Sequence, residues 1–448
     1  LRDDVWSCWG DTPSFSMSTN GKYLAIQRSP REDVCDIEQD KEKQVEDETR
    51  YRSLTFIDLE TMQSKVFSDG IGEKSIYGFQ WVSDDRFIYR PGLTNAKGRN
   101  MNALVTIAVN VDGSKRKIIG QQEMKGGQGS WTGMSVVDRL DSDPKHVIVS
   151  SNERRAFRND FYKMNIFTGK KNLMAIGFVP KNAKGDRVYG TYRDQEGYPI
   201  ATLVDESLDR VIYTYNKDSK EWSEHIRFTC QQPSFTPIAA TDKGWLVTGS
   251  KFSPNAELVE YNDTNALYLY DPETREFSEK LYQDPNYDVG GFTGTCRNAS
   301  GSAGVDYDTR KLLYVTYEAQ EPVKIYFDDE IAEIYNGLDA VFPNDWVSVV
   351  TRDKDRNKMV IRVSSPTNPG DYYFYNREQS QLIPLYNYAP WIDRKIMAET
   401  IPVKYTARDG LVIPAYLTLT KKKTDKKYMI VLPHGGPHTT QRRGYDWS

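Results

Sequence analysis

Short runs of alternating apolar and polar residues recur along the first 390 residues, and each run ends in an Asp or Asn followed by turn residues. An alternation of period two is typical of half-buried strands, and Asp or Asn tolerates the backbone geometry of a tight turn. The closing residues of the seven runs are Asp58, Asn110, Asn165, Asn216, Asp271, Asp328 and Asn376. They lie about 53 residues apart on average, which indicates an internal structural repeat.

A second hairpin pattern, a turn followed by a strand, precedes most of these runs. Residues 18–26, 83–89 and 241–247 are examples. Two hairpins per repeat make four strands, the composition of one propeller blade. We therefore predict an all-β fold in which residues 12–390 form a seven-bladed β-propeller, with under a tenth of the residues in helix.

Two stretches interrupt the repeat. Residues 31–52 are dense in charge and are predicted to form a solvated loop or an exposed helix within the first blade. Residues 328–338 contain the apolar spacing of a short helix between the sixth and seventh blades.

The pattern changes after residue 394, which divides the chain into a propeller domain, 1–394, and a second domain that begins at 395–448. Three strands are predicted there, at 401–407, 412–419 and 428–433. The first two should pair around Arg408-Asp409-Gly410, because Asp-Gly favours a tight hairpin. The third is apolar almost throughout and therefore needs neighbours on both edges and cover on both faces.

The third strand runs directly into Pro433-His434-Gly435-Gly436-Pro437. A buried strand that ends in a His-Gly-Gly turn can place backbone N–H groups where an oxyanion forms during acyl transfer. The glycines also have a purely structural interpretation, a sharp turn at the strand end.

The Arg-Asp-Gly hairpin, the His-Gly-Gly turn and Gly444-Tyr445-Asp446-Trp447, following a seven-bladed propeller, resemble the prolyl oligopeptidase family of serine peptidases. The similarity is greatest to its acylaminoacyl-peptidase and dipeptidyl-peptidase-like branch. Residues 389–393 resemble the segment that links the last blade to the hydrolase domain. The resemblance implies an α/β-hydrolase domain after the propeller, with the propeller restricting access to short peptides.

The resemblance also implies site residues. It assigns an oxyanion-hole role to the backbone N–H of Gly436, with His434, Gly435 and Pro437 as supporting residues of the turn. His434 is interpreted as an orienting side chain, and His438 as a surface residue.

No catalytic triad is expected within the chain. The sequence contains no G-x-S-x-G, since Ser302 lies in Gly301-Ser302-Ala303-Gly304, and His146 and His225 belong to predicted blades. The chain itself is accordingly expected to be an inactive N-terminal part of a longer serine peptidase, whose remaining hydrolase domain would be its partner.

Composition narrows the classes of function. The formal net charge of −4 and a pI near 5.8 argue against a nucleic-acid-binding protein. No apolar run reaches the roughly 20 residues of a membrane span. The scattered cysteines, Cys8, Cys35, Cys230 and Cys296, exclude a CxxC metal site, and neither a metal nor a cofactor is predicted.

The compartment stays open between the periplasm or exterior, after removal of a signal, and the cytoplasm. Two other functions also stay open: a stand-alone propeller that serves as a binding or scaffold module, and an esterase with the same His-Gly-Gly turn.

Overall fold

The computed structural model describes residues 13–28, 52–68, 75–94, 100–102, 104–125, 130–140, 143–155, 158–182, 185–229, 232–290, 302–306, 309–421, 428–435 and 441–445. Most of the charge-dense stretch 31–52 and all four cysteines lie outside these residues. In the described parts of the chain, no helix is long and apolar enough to cross a membrane.

Seven antiparallel sheets follow one another along the described chain. Sheet one contains β1 (Ser14–Met17), β2 (Tyr23–Arg28), β3 (Ser53–Asp58) and β4 (Gln63–Val66). Sheet two contains β5 (Ile76–Trp81), β6 (Arg86–Thr94), β7 (Asn100–Asn102), β8 (Val105–Asn110) and β9 (Lys117–Gln121), and a ribbon of β10 (Met124–Lys125) and β11 (Ser130–Trp131) follows. Sheet three contains β12 (Met134–Arg139), β13 (His146–Arg155), β14 (Arg158–Asn165) and β15 (Lys171–Ala175).

The later sheets repeat this order. Sheet four contains β16 (Arg187–Arg193), β17 (Pro199–Glu206), β18 (Asp209–Asn216) and β19 (Glu221–Thr229). Sheet five contains β20 (Phe235–Thr241), β21 (Gly244–Gly249), β24 (Ala266–Asp271) and β25 (Glu276–Gln283), with a ribbon of β22 (Lys251–Phe252) and β23 (Leu258–Glu260) inserted. Sheet six contains β26 (Ser302–Val305), β27 (Leu312–Glu318) and β28 (Pro322–Tyr326), followed by helix α1 (Asp329–Val341). Sheet seven contains β29 (Trp346–Arg352), β30 (Lys358–Ser365), β31 (Asn368–Asn376) and β32 (Gln381–Asn387), and the hairpin β33 (Thr400–Thr406) and β34 (Val412–Thr418) ends the order.

This arrangement is that of a seven-bladed β-propeller and confirms the predicted fold class. The chain forms two compact units, which we call the terminal unit (residues 1–77 and 334–448) and the central unit (residues 78–333). Sheets one and seven belong to the terminal unit, and sheets three to six belong to the central unit.

The recurring Asp or Asn organises the turn from the third to the fourth strand of a blade. In sheet one the Asp58 carboxylate accepts the N–H groups of Glu60 and Thr61, both at 3.0 Å. Asn165, Asn216 and Asp271 accept the equivalent pairs in sheets three, four and five. The side chain therefore satisfies turn amides that no strand could pair, which explains the repeat seen in the sequence.

The sixth sheet departs from the predicted four strands, since it has three among the described residues. Asp328, at the position that closes the third strand elsewhere, accepts the N–H of Ile331 at 3.0 Å and caps α1. The helix thus follows the third strand where other blades continue into a fourth. The helix predicted at 328–338 is confirmed.

The terminal unit is held together by contacts between the first and last sheets. Phe15 and Met17 of β1 pack with Val360 and Phe374 of sheet seven. The Met17 N–H donates to Oγ1 of Thr351 at 2.9 Å. These contacts join the first and last blades within one compact unit.

Two buried polar groups matter in the central unit. The Arg86 side chain is fully buried and donates to the backbone of both sheet two and sheet three. His225 of β19 is 7% exposed and shares a 2.6 Å hydrogen bond with the Tyr270 hydroxyl. Both are structural features of the blades, and both give measurable predictions.

Candidate functional site

The hairpin β33–β34 begins the predicted second domain. Its strands pair antiparallel from Thr400 opposite Thr418 to Thr406 opposite Val412. Gly410 has a φ of +89°, a conformation that glycine adopts without a steric cost, and its N–H donates to the Ala407 carbonyl at 3.0 Å. The predicted hairpin around Arg408-Asp409-Gly410 is confirmed.

The segment between the last blade and this hairpin is fixed to sheet seven and its flanking loop. Ala389 and Ile392 are buried. The Arg394 Nη2 donates to both oxygens of the Asp345 carboxylate, at 2.7 and 3.0 Å, and Nη1 lies 3.6 Å from the Asp371 carboxylate. Burial raises the pKa of the Asp371 carboxyl, and the nearby Arg394 offsets part of that effect. The path of the chain out of the propeller is therefore held by a charged contact.

The end of the described chain returns to the base of the hairpin. The Arg443 Nε donates to the Thr400 carbonyl at 2.7 Å, and its guanidinium lies 5.6 Å from the centre of the Trp346 ring. Burial raises the pKa of Tyr445, which is half-buried here. Residues 441–445 thus contact both β33 and the first strand of sheet seven.

The apolar run that precedes the His-Gly-Gly turn lies open to solvent. The exposed fractions are 80% for Tyr428, 82% for Met429, 84% for Ile430, 70% for Val431 and 78% for Leu432. The predicted strand at 428–433 is wrong for this structure, because these residues form no strand. An apolar segment forms a central strand only when neighbouring strands accept its backbone hydrogen bonds and other elements cover its faces.

His434 and Gly435 lie together at the end of this exposed run. His434 Nδ1 donates to the Gly435 carbonyl at 2.9 Å, and both residues are exposed. Gly436, Pro437 and His438 lie outside the described residues. The structure therefore places the beginning of the turn and leaves the oxyanion role of Gly436 a prediction.

The other two described histidines have structural partners. His146 Nδ1 lies 2.9 Å from the Asp143 carboxylate, which Lys163 also contacts at 2.7 Å. These two neighbours lower the pKa of Asp143 to about 2, with the hydrogen bond from Lys163 as the main cause. His225 lies in an apolar pocket against Tyr270 and Trp245. His146 is held within its own blade, whereas His225 of sheet four contacts Tyr270 and Trp245 of sheet five.

A charge cluster around the buried Asp138 of the central unit was not found from the sequence. Asp138 of β12, Arg193 of β16 and Arg310 of the turn after β26 meet there, although 172 residues separate Asp138 from Arg310. Burial raises the pKa of the Asp138 carboxyl, and the two guanidiniums offset part of that effect. No local pattern signals such a contact, since each residue occurs at an ordinary strand end.

No protein-family model matches the chain. The chain is 25% identical over 313 residues to dipeptidyl aminopeptidase BIII of Pseudoxanthomonas mexicana, a match that covers 67% of this chain and 42% of the relative. It is 19% identical over 335 residues to dipeptidyl peptidase family member 6 of Caenorhabditis elegans, covering 67% of this chain and 41% of that protein. The chain thus spans about two fifths of the length of the curated relatives it matches.

Two solved structures share the fold. The acylaminoacyl peptidase of Pyrococcus horikoshii matches with a TM-score of 0.52 at 12% identity, covering 98% of this chain and 62% of that one. An acylaminoacyl peptidase in complex with Z-Gly-Gly-Phe-chloromethyl ketone matches with a TM-score of 0.50 at 11% identity, covering 99% and 63%. The resemblance to propeller-containing peptidases that the motifs indicate is therefore confirmed, and these solved structures establish similarity of fold.

Proposed function

We propose that this chain is the propeller-bearing N-terminal portion of a serine exo- or oligopeptidase that hydrolyses short peptides. The observation that carries the proposal is the exposed apolar run Tyr428–Leu432, which leads from the β33–β34 hairpin towards His434 and Gly435. Five consecutive apolar residues with this exposure are unusual on the solvent-exposed surface of a folded protein. They are typical of a surface that another polypeptide segment covers. The remainder of a hydrolase sheet is that segment.

In this proposal the catalytic triad lies outside residues 1–448, and the chain contributes two other parts. The backbone N–H of Gly436 donates to the oxyanion that forms when a serine Oγ adds to the scissile carbonyl, while the base takes the hydroxyl proton. His434 orients the turn, because its Nδ1–H already donates to the adjacent Gly435 carbonyl. The propeller restricts which peptides reach the site.

The same proposal predicts how the chain behaves alone. Ile430→Lys should lower self-association of the chain roughly tenfold or more, because burial of one isoleucine side chain is worth about 1.5–3 kcal/mol. Sedimentation velocity over a concentration series measures this. Leu208→Lys is the matched control, since Leu208 is 75% exposed in the turn between β17 and β18 and gains the same charge.

An equal effect of both lysine substitutions would assign the association to general surface charge, and an unchanged association in Ile430→Lys would show that the exposed apolar run is not the contact surface. The activity itself is tested on aminoacyl and acylaminoacyl nitroanilides. We expect hydrolysis by the natural protein and none by residues 1–448. A natural protein without activity on any of these would favour the stand-alone binding module.

A further inference from the structure

The cluster of the buried Asp138 with the partly exposed Arg193 and Arg310 joins three sheets of the central unit at one end of their first strands. Asp138 and Arg193 lie at the ends of β12 and β16, and Arg310 lies in the turn between β26 and β27. Arg310 Nη2 donates to Oδ2 of Asp138 at 3.3 Å and to the Asp194 carbonyl at 3.2 Å. Arg193 Nε lies 3.6 Å from the same carboxylate oxygen.

These contacts pass over a neighbouring sheet. The first strand of sheet five, β20, contacts both β16 of sheet four and β26 of sheet six, so the three sheets are consecutive neighbours. Arg310 of sheet six nevertheless reaches sheets four and three. The Arg310 side chain therefore joins sheets that are not neighbours, at the ends of their first strands.

The backbone around Arg310 holds the side chain in this position. Arg310 has a φ of +58°, a left-handed conformation that non-glycine residues rarely adopt and that surrounding contacts must maintain. Its N–H donates to the Asp306 carbonyl at 2.9 Å, and its carbonyl accepts the N–H of Asp242 in sheet five at 3.0 Å. The turn is thus tied to the adjacent blade on one side and extends a guanidinium to the far blades on the other.

Two features favour release of Arg310 from Asp138: the carboxylate is shared with a second arginine, and the contact distances are long. The Asp138 side chain is 5% exposed and is shared between two guanidiniums. The Arg310 distances of 3.2 and 3.3 Å exceed the 2.7–2.9 Å typical of strong charge-assisted hydrogen bonds. The Asp194 carboxylate is paired with Lys217 at 2.5 Å, and Arg310 contacts Asp194 through the backbone carbonyl.

We propose that Arg310 is a latch that holds the first-strand ends of sheets three, four and six together, and that it opens when the guanidinium leaves Asp138. The latch is a property of the central unit alone. Its consequence, that it limits the length of peptide admitted at this end, rests on the proposed peptidase function.

Hydrogen–deuterium exchange of the whole chain tests the latch. Arg310→Ala should raise exchange about tenfold in residues 194–198 of sheet four and at the end of β12, because the contact that joins them to sheet six is lost. Alanine keeps a Cβ, so the cost of the positive φ is similar to that of arginine. Lys311→Ala is the matched control, since it removes an exposed cation from the same turn.

Arg310→Lys keeps the charge but lacks the planar guanidinium. Its exchange at residues 194–198 should therefore lie between that of the wild type and that of Arg310→Ala. Unchanged exchange at 194–198 in Arg310→Ala, with changes confined to 306–311, would overturn the latch. A general increase that includes the buried strands β13 and β18 would also overturn it, since that result reports loss of stability.

A distance measurement separates opening from local loosening. Nitroxide labels at Lys311→Cys and Glu196→Cys, after replacement of the four native cysteines by serine, report the span between sheets six and four. A longer and broader distance distribution on addition of Arg310→Ala supports the latch, and an unchanged distribution contradicts it.

The consequence for substrates is measured in the natural protein. Arg310→Ala should raise kcat/KM for longer peptides several-fold while leaving dipeptidyl substrates unchanged. A larger span without that change in length preference would overturn the gating role. Absence of peptidase activity in the wild-type protein would instead reject the proposed function. The exchange and distance measurements would then decide whether the latch exists.

Discussion

Replacing Arg86 with methionine should lower the free energy of unfolding of the central unit by about 3–5 kcal/mol. The Arg86 side chain is fully buried, and methionine fills a similar length without any donor. The acceptors that would lose a partner are the carbonyls of Ile166, Ala108 and Lys115, at 3.1, 3.2 and 2.9 Å, and the Asn110 side chain, at 2.8 Å. Each unsatisfied buried acceptor costs about 1–3 kcal/mol, which makes this one of the largest single effects expected in the protein.

Among the described residues, the Arg86 guanidinium bonds to carbonyl and amide oxygens and to no carboxylate. Burial lowers the pKa of its guanidinium, the nearby Asp85 offsets part of that effect, and the Phe167 ring lies 4.6 Å from the guanidinium carbon. Urea unfolding measures the predicted loss. Arg116→Met, at an exposed arginine before β9, is the control and should change stability by at most about 0.5 kcal/mol. A loss under about 1 kcal/mol in Arg86→Met would show that the side chain does not join sheets two and three as described.

The wild-type protein should lose about 3 kcal/mol of stability between pH 7 and pH 4, and His225→Gln should abolish that loss. Burial lowers the pKa of His225 to about 4, and the positive charge of Arg275 contributes to the same shift. An unfolded histidine titrates near pH 6.5. Between these two values the unfolded state binds a proton that the folded state does not bind, so the stability falls as the pH falls, and the loss is complete below about pH 4.

The measurement is urea unfolding of both proteins at pH 7, 5.5 and 4, with the result taken as the difference between their pH profiles. Carboxylates titrate in both proteins and cancel in that difference. Tyr270→Phe is the control, because it removes the 2.6 Å hydrogen bond to His225 while leaving the imidazole buried. It should lower stability at pH 7 and keep the pH dependence. Equal profiles for the wild type and His225→Gln would contradict the buried neutral histidine.

The sequence predicted the elements whose causes are local. In sheets one, three, four and five the recurring Asp or Asn satisfies the turn amides two and three residues later, as Asp58 does. The hairpin at Asp409-Gly410 follows from the same kind of local chemistry, since Gly410 adopts a positive φ. The helix after Asp328 was also predicted, although its place after the third strand of blade six was not.

The sequence could not predict features that depend on distant residues. The run 428–433 has the composition of a central strand, yet a strand forms only where hydrogen-bonding neighbours exist, and in this structure Tyr428–Leu432 are open to solvent. The contact between Asp138 and Arg310 depends on how sheets three, four and six pack together, and no sequence pattern near either residue indicates it.

The most direct test of the central claim is to react the protein with a serine-directed fluorophosphonate and map the label by mass spectrometry. The account predicts that residues 1–448 alone take up no label that substrate can compete away. In the natural protein it predicts a single such label, on a serine in a Gly-x-Ser-x-Gly turn beyond Ser448. A label on a serine within residues 1–448 that short peptide substrates displace, and that a serine-to-alanine substitution abolishes together with activity, would contradict it.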